Sequence, residues 1–527
     1  MTENGNAAAH FVDRHIWENR GENVAFREAD GLRRELTYQG LAVRSGLVAG
    51  ALERAGIRQE ERVACLLIDQ IEYPEVFWGA LKAGVVPVAI NTLLSTAIYQ
   101  QILGDCRAVC LFVSSELLCT VLPAIKGSSY LRRIIVIGGE APEGAVTYHT
   151  FLEGAEQRPT LPLSSDDGAF WLYSSGSTGK PKGVRHVHGA LRATADTYGA
   201  RVLGIREEDI VFSAAKIFFA YGLGNTMTFP MSVGATAVLW GGRTTPDVAS
   251  AILAREQPTI FFGVPTLYAA MLAHFDRHGV PKTVLRTSIS AGEALPEALG
   301  RRWRAAVGVD ILDGVGSTEM LHIFLSNAPG DIVYGTSGRP VPGYDLRCVD
   351  ETGHQITPGE LGELLVRGDS AAEGYWNQRE KSRATFQGQW TRTGDKYTLR
   401  EDGRYIYCGR TDDMFKVSGM WVSPFEVEQA LVAHPLVREA AVVPHRDAAG
   451  LVKPKAFVVL SGKIGKEALC RELKEMVKDR IGKWQYPRWI EFVDDLPKTA
   501  TGKIQRFILR DNASEPSGTE SATWRKV

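Results

Sequence analysis

The stretch Tyr173-Ser174-Ser175-Gly176-Ser177-Thr178-Gly179-Lys180-Pro181-Lys182-Gly183 holds three glycines, two lysines and four small hydroxyl side chains. Glycines let backbone N–H groups converge on one point, hydroxyls add donors and lysines add positive charge, which is what an oligophosphate needs. A Walker loop is excluded, because Ser174 stands at the first glycine position and Pro181 follows Gly179-Lys180. Serine- and glycine-rich runs are also common linkers. Here the run follows an apolar strand-like segment, Ala169-Phe170-Trp171-Leu172, and precedes a helical pattern from about Gly189 to Tyr198, where linkers are rare.

Four later stretches offer complementary chemistry. Asp313-Gly314-Val315-Gly316-Ser317-Thr318-Glu319 ends a short apolar run in a glycine turn with a carboxylate. By itself that is an ordinary helix start with a favourable charge. Ser290-Ala291-Gly292-Glu293 reads as a strand-to-turn segment. Thr393-Gly394-Asp395 supplies a carboxylate with two acceptor oxygens, and Pro497-Lys498-Thr499-Ala500-Thr501-Gly502-Lys503 places two lysines near the C-terminus. Taken singly, each has an unremarkable reading.

Taken in order, they resemble the motifs of the adenylate-forming superfamily, which includes acyl-CoA and aryl-CoA ligases, adenylation domains and luciferases. The matches run from about residue 170 to 505. The resemblance implies ATP or AMP contacts at Ser174, Ser175, Gly176, Ser177, Thr178, Gly179, Lys182, Ala291, Gly292, Glu293, Asp313, Gly314, Thr318, Asp395 and Arg410. It implies catalytic roles for Lys503, Thr318 and Glu319, with Glu319 holding Mg²⁺, an ion suited to one or two carboxylates plus phosphate oxygens. Asp412, in Gly409-Arg410-Thr411-Asp412-Asp413, matches the hinge about which a small domain turns. Lys416, Gly419 and Trp421 match the coenzyme A side, Gly419 lining a tunnel where a missing Cβ leaves room.

Lys216-Ile217-Phe218-Phe219-Ala220-Tyr221-Gly222-Leu223-Gly224-Asn225 sits where this superfamily builds its acyl pocket. Phe219, Ala220, Tyr221 and Gly222 are expected to form one wall, and Val315, Gly316, His322 and Ile323 the other. A flat slot beside rings suits a planar aryl carboxylate; the same aromatics are equally compatible with plain core. No Asp or Glu lies within Phe218–Gly224 to pair with an ammonium, which argues against an amino acid. His322 is either a satisfied core histidine or a group that approaches the ring. Both segments resemble those of benzoate–CoA and hydroxybenzoate–CoA ligases. The expected activity is ATP-dependent formation of an aryl-CoA, AMP and pyrophosphate through an acyl-adenylate. A stand-alone adenylation enzyme loading a carrier protein is the alternative in the same chemistry, and the ring substituent stays open.

The elements that must position these residues follow from periodicity. Apolar runs at Val63–Ile68, Val85–Ile90, Val109–Val113, Ile134–Ile137, Ile210–Phe212, Thr236–Leu239, Thr259–Phe262 and Thr287–Ser290 alternate with amphipathic stretches. That is the pattern of parallel sheets covered by helices. From about Gly359, strand-like runs with tight turn signals suggest an antiparallel, β-rich section. The expected fold class is α/β: a large N-terminal domain over 1–411 and a small mobile α+β C-terminal domain over 412–527.

The chain has 527 residues, too many for one core. Lys+Arg (60) and Asp+Glu (61) nearly cancel, so nothing favours nucleic acid. Seven scattered cysteines with no C-x-x-C read as thiols in a reducing compartment. The N-terminus lacks an apolar signal region, and the most apolar region, Val63 to Ile90, is interrupted by Asp69, Glu72, Glu75 and Lys82. A cytoplasmic protein is expected. Its partners are expected to be an aryl carboxylate, ATP and coenzyme A rather than nucleic acid or membrane, with a homodimer as the compatible assembly.

Overall fold

Buried β-branched runs between helices fold as parallel strands, because strands covered on both faces are apolar throughout. In the computed structural model, residues 4–175, 181–417, 420–447, 450–462, 466–482, 485–498 and 504–513 are described. The chain divides into two compact units, Met1–Leu346 with Val366–Arg392, and Arg347–Leu365 with Thr393–Val527.

The first unit contains a nine-stranded and an eight-stranded sheet. In the former, Thr236–Leu239, Ile210–Ser213, Ile260–Gly263, Thr287–Ala291 and Ile311–Gly316 lie side by side and parallel. Ile323–Ser326 then pairs antiparallel with Ile311–Gly316. Phe212, Phe261, Tyr268 and Trp303 pack on this sheet under its helices. In the latter, Val86–Ala89, Arg62–Leu66, Cys110–Ser114 and Arg133–Ile137 are parallel neighbours. Each of the parallel strands named here coincides with an apolar run expected from the sequence.

The phosphate-loop candidate is held differently from the expected strand–loop–helix. Gly168–Ser175 pairs antiparallel with Pro181–Val187, with Ser174 opposite Lys182 and Ser175 opposite Pro181. The chain returns as a strand before helix His188–Thr194 begins. No helix N-terminus therefore follows the loop directly, and a hairpin fixes its two ends. Gly183 fits closely in that hairpin: a Cβ there would lie 3.2 Å from the Tyr173 hydroxyl.

In the second unit, Asp395 to Leu399 pair antiparallel with Arg410 to Tyr405. Val437–Arg446, Val452–Leu460 and Trp489–Phe492 form a three-stranded sheet. Helices Pro424–Val432 and Lys466–Ile481 contribute Val427, Leu431, Leu469, Leu473 and Val477 to the core against it. Ser423 caps the first helix by accepting from the Glu426 N–H at 3.1 Å, with proline at the first helical position. All seven cysteines are free thiols. Among the described residues no helix is long and apolar enough to cross a membrane.

Candidate active site

Strand Ile311–Gly316 ends in a tight turn that presents Thr318, Glu319 and His322. The Met320 N–H donates to Ser317 Oγ at 3.1 Å and the Leu321 N–H to the Thr318 carbonyl at 3.2 Å. Leu321 is buried with φ +64°, a left-handed conformation that costs a leucine roughly 1–2 kcal/mol. Surrounding bonds over-determine it. His186 lies 2.9 Å from the Thr318 carbonyl through Nε2, the Ala372 N–H donates to the Glu319 carbonyl at 2.8 Å, and Ser370 Oγ donates to the Met320 carbonyl at 2.8 Å. Strain held in this way is characteristic of functional turns.

The carboxylate of Glu319 accepts from the Tyr375 hydroxyl at 2.8 Å and lies 3.6 Å from Lys182 Nζ. Lys182 Nζ also sits 4.7 Å from the centre of the Tyr375 ring. The hairpin and the Glu319 turn, far apart in sequence, thus meet at one carboxylate. Among the described residues no group of three or more His, Cys, Asp or Glu side chains could cage a metal. The donor set fits Mg²⁺ of the kind held by one carboxylate and by phosphate oxygens. Ser174 Oγ, at the loop end of the hairpin, is buried with no hydrogen-bond partner.

The expected acyl pocket brings its two walls together through His322. The imidazole is buried; its Nε2 lies 3.1 Å from Asn225 Oδ1 and 3.3 Å from the Tyr221 carbonyl, while Nδ1 has no partner. Rings of Tyr198, Tyr221 and Phe229 surround it at centroid distances of 5.5, 5.6 and 4.5 Å. Burial holds its pKa down at about 3, so the ring is neutral. Phe219 is half-buried, 4.5 Å from the Phe218 ring. Ala220 and Ile323 are buried, Val315 is half-buried and Gly316 is exposed.

The glycines of this segment act through packing as much as through space. A Cβ on Gly222 would meet the Lys216 carbonyl oxygen at 2.0 Å, and one on Gly224 would meet His322 Cδ2 at 2.3 Å. On Gly316 it would meet the His322 carbonyl at 2.5 Å, and on Gly314 the Ile323 side chain at 2.7 Å. The segment itself is clamped by Asp69, whose Oδ1 accepts from the Ile217 N–H at 3.2 Å and whose Oδ2 lies 4.0 Å from Lys216 Nζ.

On the nucleotide side, Ala291 ends a buried strand, Gly292 turns the chain at φ +93°, and Glu293 is half-buried. Asp313 is buried with Oδ1 unpartnered, and burial raises its pKa well above the carboxylate range. A buried polar atom without a partner is costly, and a bound ligand is one remedy. In the second unit, Arg410 donates to Asp395 at 2.9 Å and to the Thr393 carbonyl at 2.8 Å. A Cβ on Gly394, at φ +71°, would meet the Arg410 guanidinium at 2.7 Å. Asp412 is exposed in a turn. Lys416 and Trp421 face each other across a hairpin, Nζ 4.6 Å from the ring.

Gly176, Ser177, Thr178, Gly179, Gly419 and Lys503 lie outside the described residues, and only the backbone of Ser175 is described. Reading the sequence misses Tyr375, His186 and Asp69. Tyr375 belongs to Gly374-Tyr375-Trp376, fifty-six positions from Glu319. An aromatic directly after a glycine was its only signal. Asp69 did carry one, as the first of the charges that interrupt the apolar region Val63 to Ile90.

A family model described as AMP-binding enzyme matches residues 13–376, and one described as AMP-binding enzyme C-terminal domain matches residues 426–503. The chain is 51% identical to a 4-hydroxybenzoate–CoA/benzoate–CoA ligase of Rhodopseudomonas palustris, over 99% of this chain and 98% of that protein. It is 52% identical to a benzoate–CoA ligase of Thauera aromatica, over 97% and 96%. Among solved structures, a benzoate CoA ligase from Burkholderia xenovorans superposes with TM-score 0.88 at 48% identity, covering 96% of this chain and 99% of that one. An anthranilate CoA ligase bound to anthranoyl-AMP superposes with TM-score 0.91 at 44% identity, covering 96% and 97%.

Proposed function

Because the chain belongs to the AMP-binding enzyme family, we propose that it is an ATP-dependent aryl-CoA ligase converting benzoate, or a substituted benzoate, and coenzyme A to the aryl-CoA, AMP and pyrophosphate. The observation that carries the aryl reading is the neutral, ring-walled surroundings of His322. No carboxylate lies within Phe218–Gly224 to hold a substrate ammonium, and Asp69 is already engaged by Ile217 and Lys216.

The reaction has two steps. A carboxylate oxygen attacks the α-phosphorus, a P–O bond to pyrophosphate breaks, and an aryl adenylate forms. The coenzyme A thiolate then adds to the acyl carbon and AMP leaves. Activation replaces oxide, a poor leaving group, with a phosphate ester. Lys182 and the Ser174 hydroxyl are suited to phosphate oxygens. Glu319 would hold Mg²⁺, which when bound would neutralise phosphate charge. Asp395, oriented by Arg410, is suited to ribose hydroxyls. Lys503 would stabilise the charge gathered at phosphorus in the first step, a contact worth more in the transition state than in the ground state. Its place after Asp412 suits a small domain that turns at that residue between steps and then presents Lys416, Gly419 and Trp421 to coenzyme A.

The test is a panel of acids scored by kcat/KM. Benzoate and its small substituted forms should lead, and cyclohexanecarboxylate and phenylalanine should trail. Preference for a puckered or zwitterionic acid would overturn the aryl reading.

A further inference from the structure

The Tyr375 hydroxyl donates to the Glu319 carboxylate at 2.8 Å, to Oε1. The same ring lies beneath Lys182 Nζ, 4.7 Å away, and that ammonium is 3.6 Å from the same Oε1. Tyr375 is fixed from behind. Its N–H donates to Ser382 Oγ at 2.9 Å, and the short strand Gly374–Tyr375 pairs with Arg185 and Val184 of the hairpin. The next residue, Trp376, donates its N–H to the Gly183 carbonyl at 2.8 Å. One side chain thereby links the hairpin lysine to the carboxylate of the Thr318–Glu319 turn.

We propose that Tyr375 is a positioning residue for the Glu319 carboxylate. Its hydroxyl fixes Oε1 so that the carboxylate meets a divalent cation in one orientation, and its ring holds Lys182 against that carboxylate until a phosphate arrives. This rests on the proposed role of Glu319 toward Mg²⁺. The physical basis is general: an outer hydrogen bond to a metal-binding carboxylate orients it, and its loss weakens metal affinity. With nucleotide bound, the Lys182 ammonium would turn from the carboxylate to phosphate oxygens, leaving Glu319 to hold the cation.

The experiment is a titration of Mn²⁺ followed by its free electron paramagnetic resonance signal. It uses saturating ATP and omits the aryl acid, so that no turnover is involved. Tyr375→Phe keeps the ring and removes the bond; Mn²⁺ affinity should fall about 10- to 100-fold, the usual range for such partners. In steady state the half-saturating Mg²⁺ should rise while the KM for the aryl acid stays unchanged, a split that general loosening of the fold would not give. Glu319→Gln serves as reference. If it lowers Mn²⁺ affinity while Tyr375→Phe leaves it unchanged, the positioning role is refuted. If Glu319→Gln itself has no effect, the metal role of Glu319 fails and the inference falls with it.

Discussion

Gly224→Ala puts the pocket account under direct strain. The added Cβ would stand 2.3 Å from His322 Cδ2, 2.8 Å from its Nε2 and 3.1 Å from Phe229 Cζ. Ordinary contact begins near 3.4 Å, so the imidazole must shift by about 1 Å, and overpacking of that kind costs roughly 1–3 kcal/mol. The ring has no free direction, because Tyr198, Tyr221 and Phe229 pack around it. Moving it also disturbs the 3.1 Å contact with Asn225. Since each 1.4 kcal/mol is a factor of ten, kcat/KM for the aryl acid should fall about 5- to 150-fold. The KM for ATP should stay near its original value, because the hairpin and Glu319 are untouched. Initial rates of pyrophosphate release, with benzoate and ATP varied separately, measure both. A folded variant with an unchanged benzoate KM would show that His322 does not shape the acid site.

Acid should unfold the first unit early. Burial holds His15, His186 and His188 near pKa 4 and His322 near 3, so each binds its proton more readily unfolded, and stability is lost as pH falls from about 6.5 toward 4. Each contributes on the order of 3 kcal/mol over that span, while Asp69, raised to about 6, works the opposite way between about pH 4 and 6; denaturant midpoints against pH should therefore slope downward on acidification, and a flat profile would contradict the neutral assignments. Asp69→Ala should destabilise by roughly 3 kcal/mol or more, because it leaves Lys216 buried without its counter-charge. Asp69→Asn should lose less, since an oxygen still accepts the Ile217 N–H, and equal losses in urea melts would dismiss that bond.

Much of this was legible from residue order. The parallel strands announce themselves as short buried β-branched runs, and the Thr318–Glu319 turn and the Thr393–Asp395 carboxylate stand out as motifs. The hairpin around the phosphate loop was not legible. Val184–Val187 is brief and carries Arg185 and His186, so no clean alternation marks it as a strand. Whether His322 was core or site also needed the structure. Its packing against Gly224 depends on a helical segment and a turn about a hundred positions apart. Tyr375 was invisible for the same reason: what matters is the carboxylate that tertiary folding brings to it.

The central claim is that one late lysine serves adenylate formation and not thioester formation. Wild type and Lys503→Ala, given benzoate and MgATP, should be compared by mass spectrometry for benzoyl-AMP and pyrophosphate. Supplied benzoyl-AMP and coenzyme A should then be followed to benzoyl-CoA and AMP. Wild type should complete both steps, and the variant should lose about 10²–10³ in the first while keeping the second. Equal loss in both steps, or no benzoate-dependent adenylate from the wild type, would contradict the account.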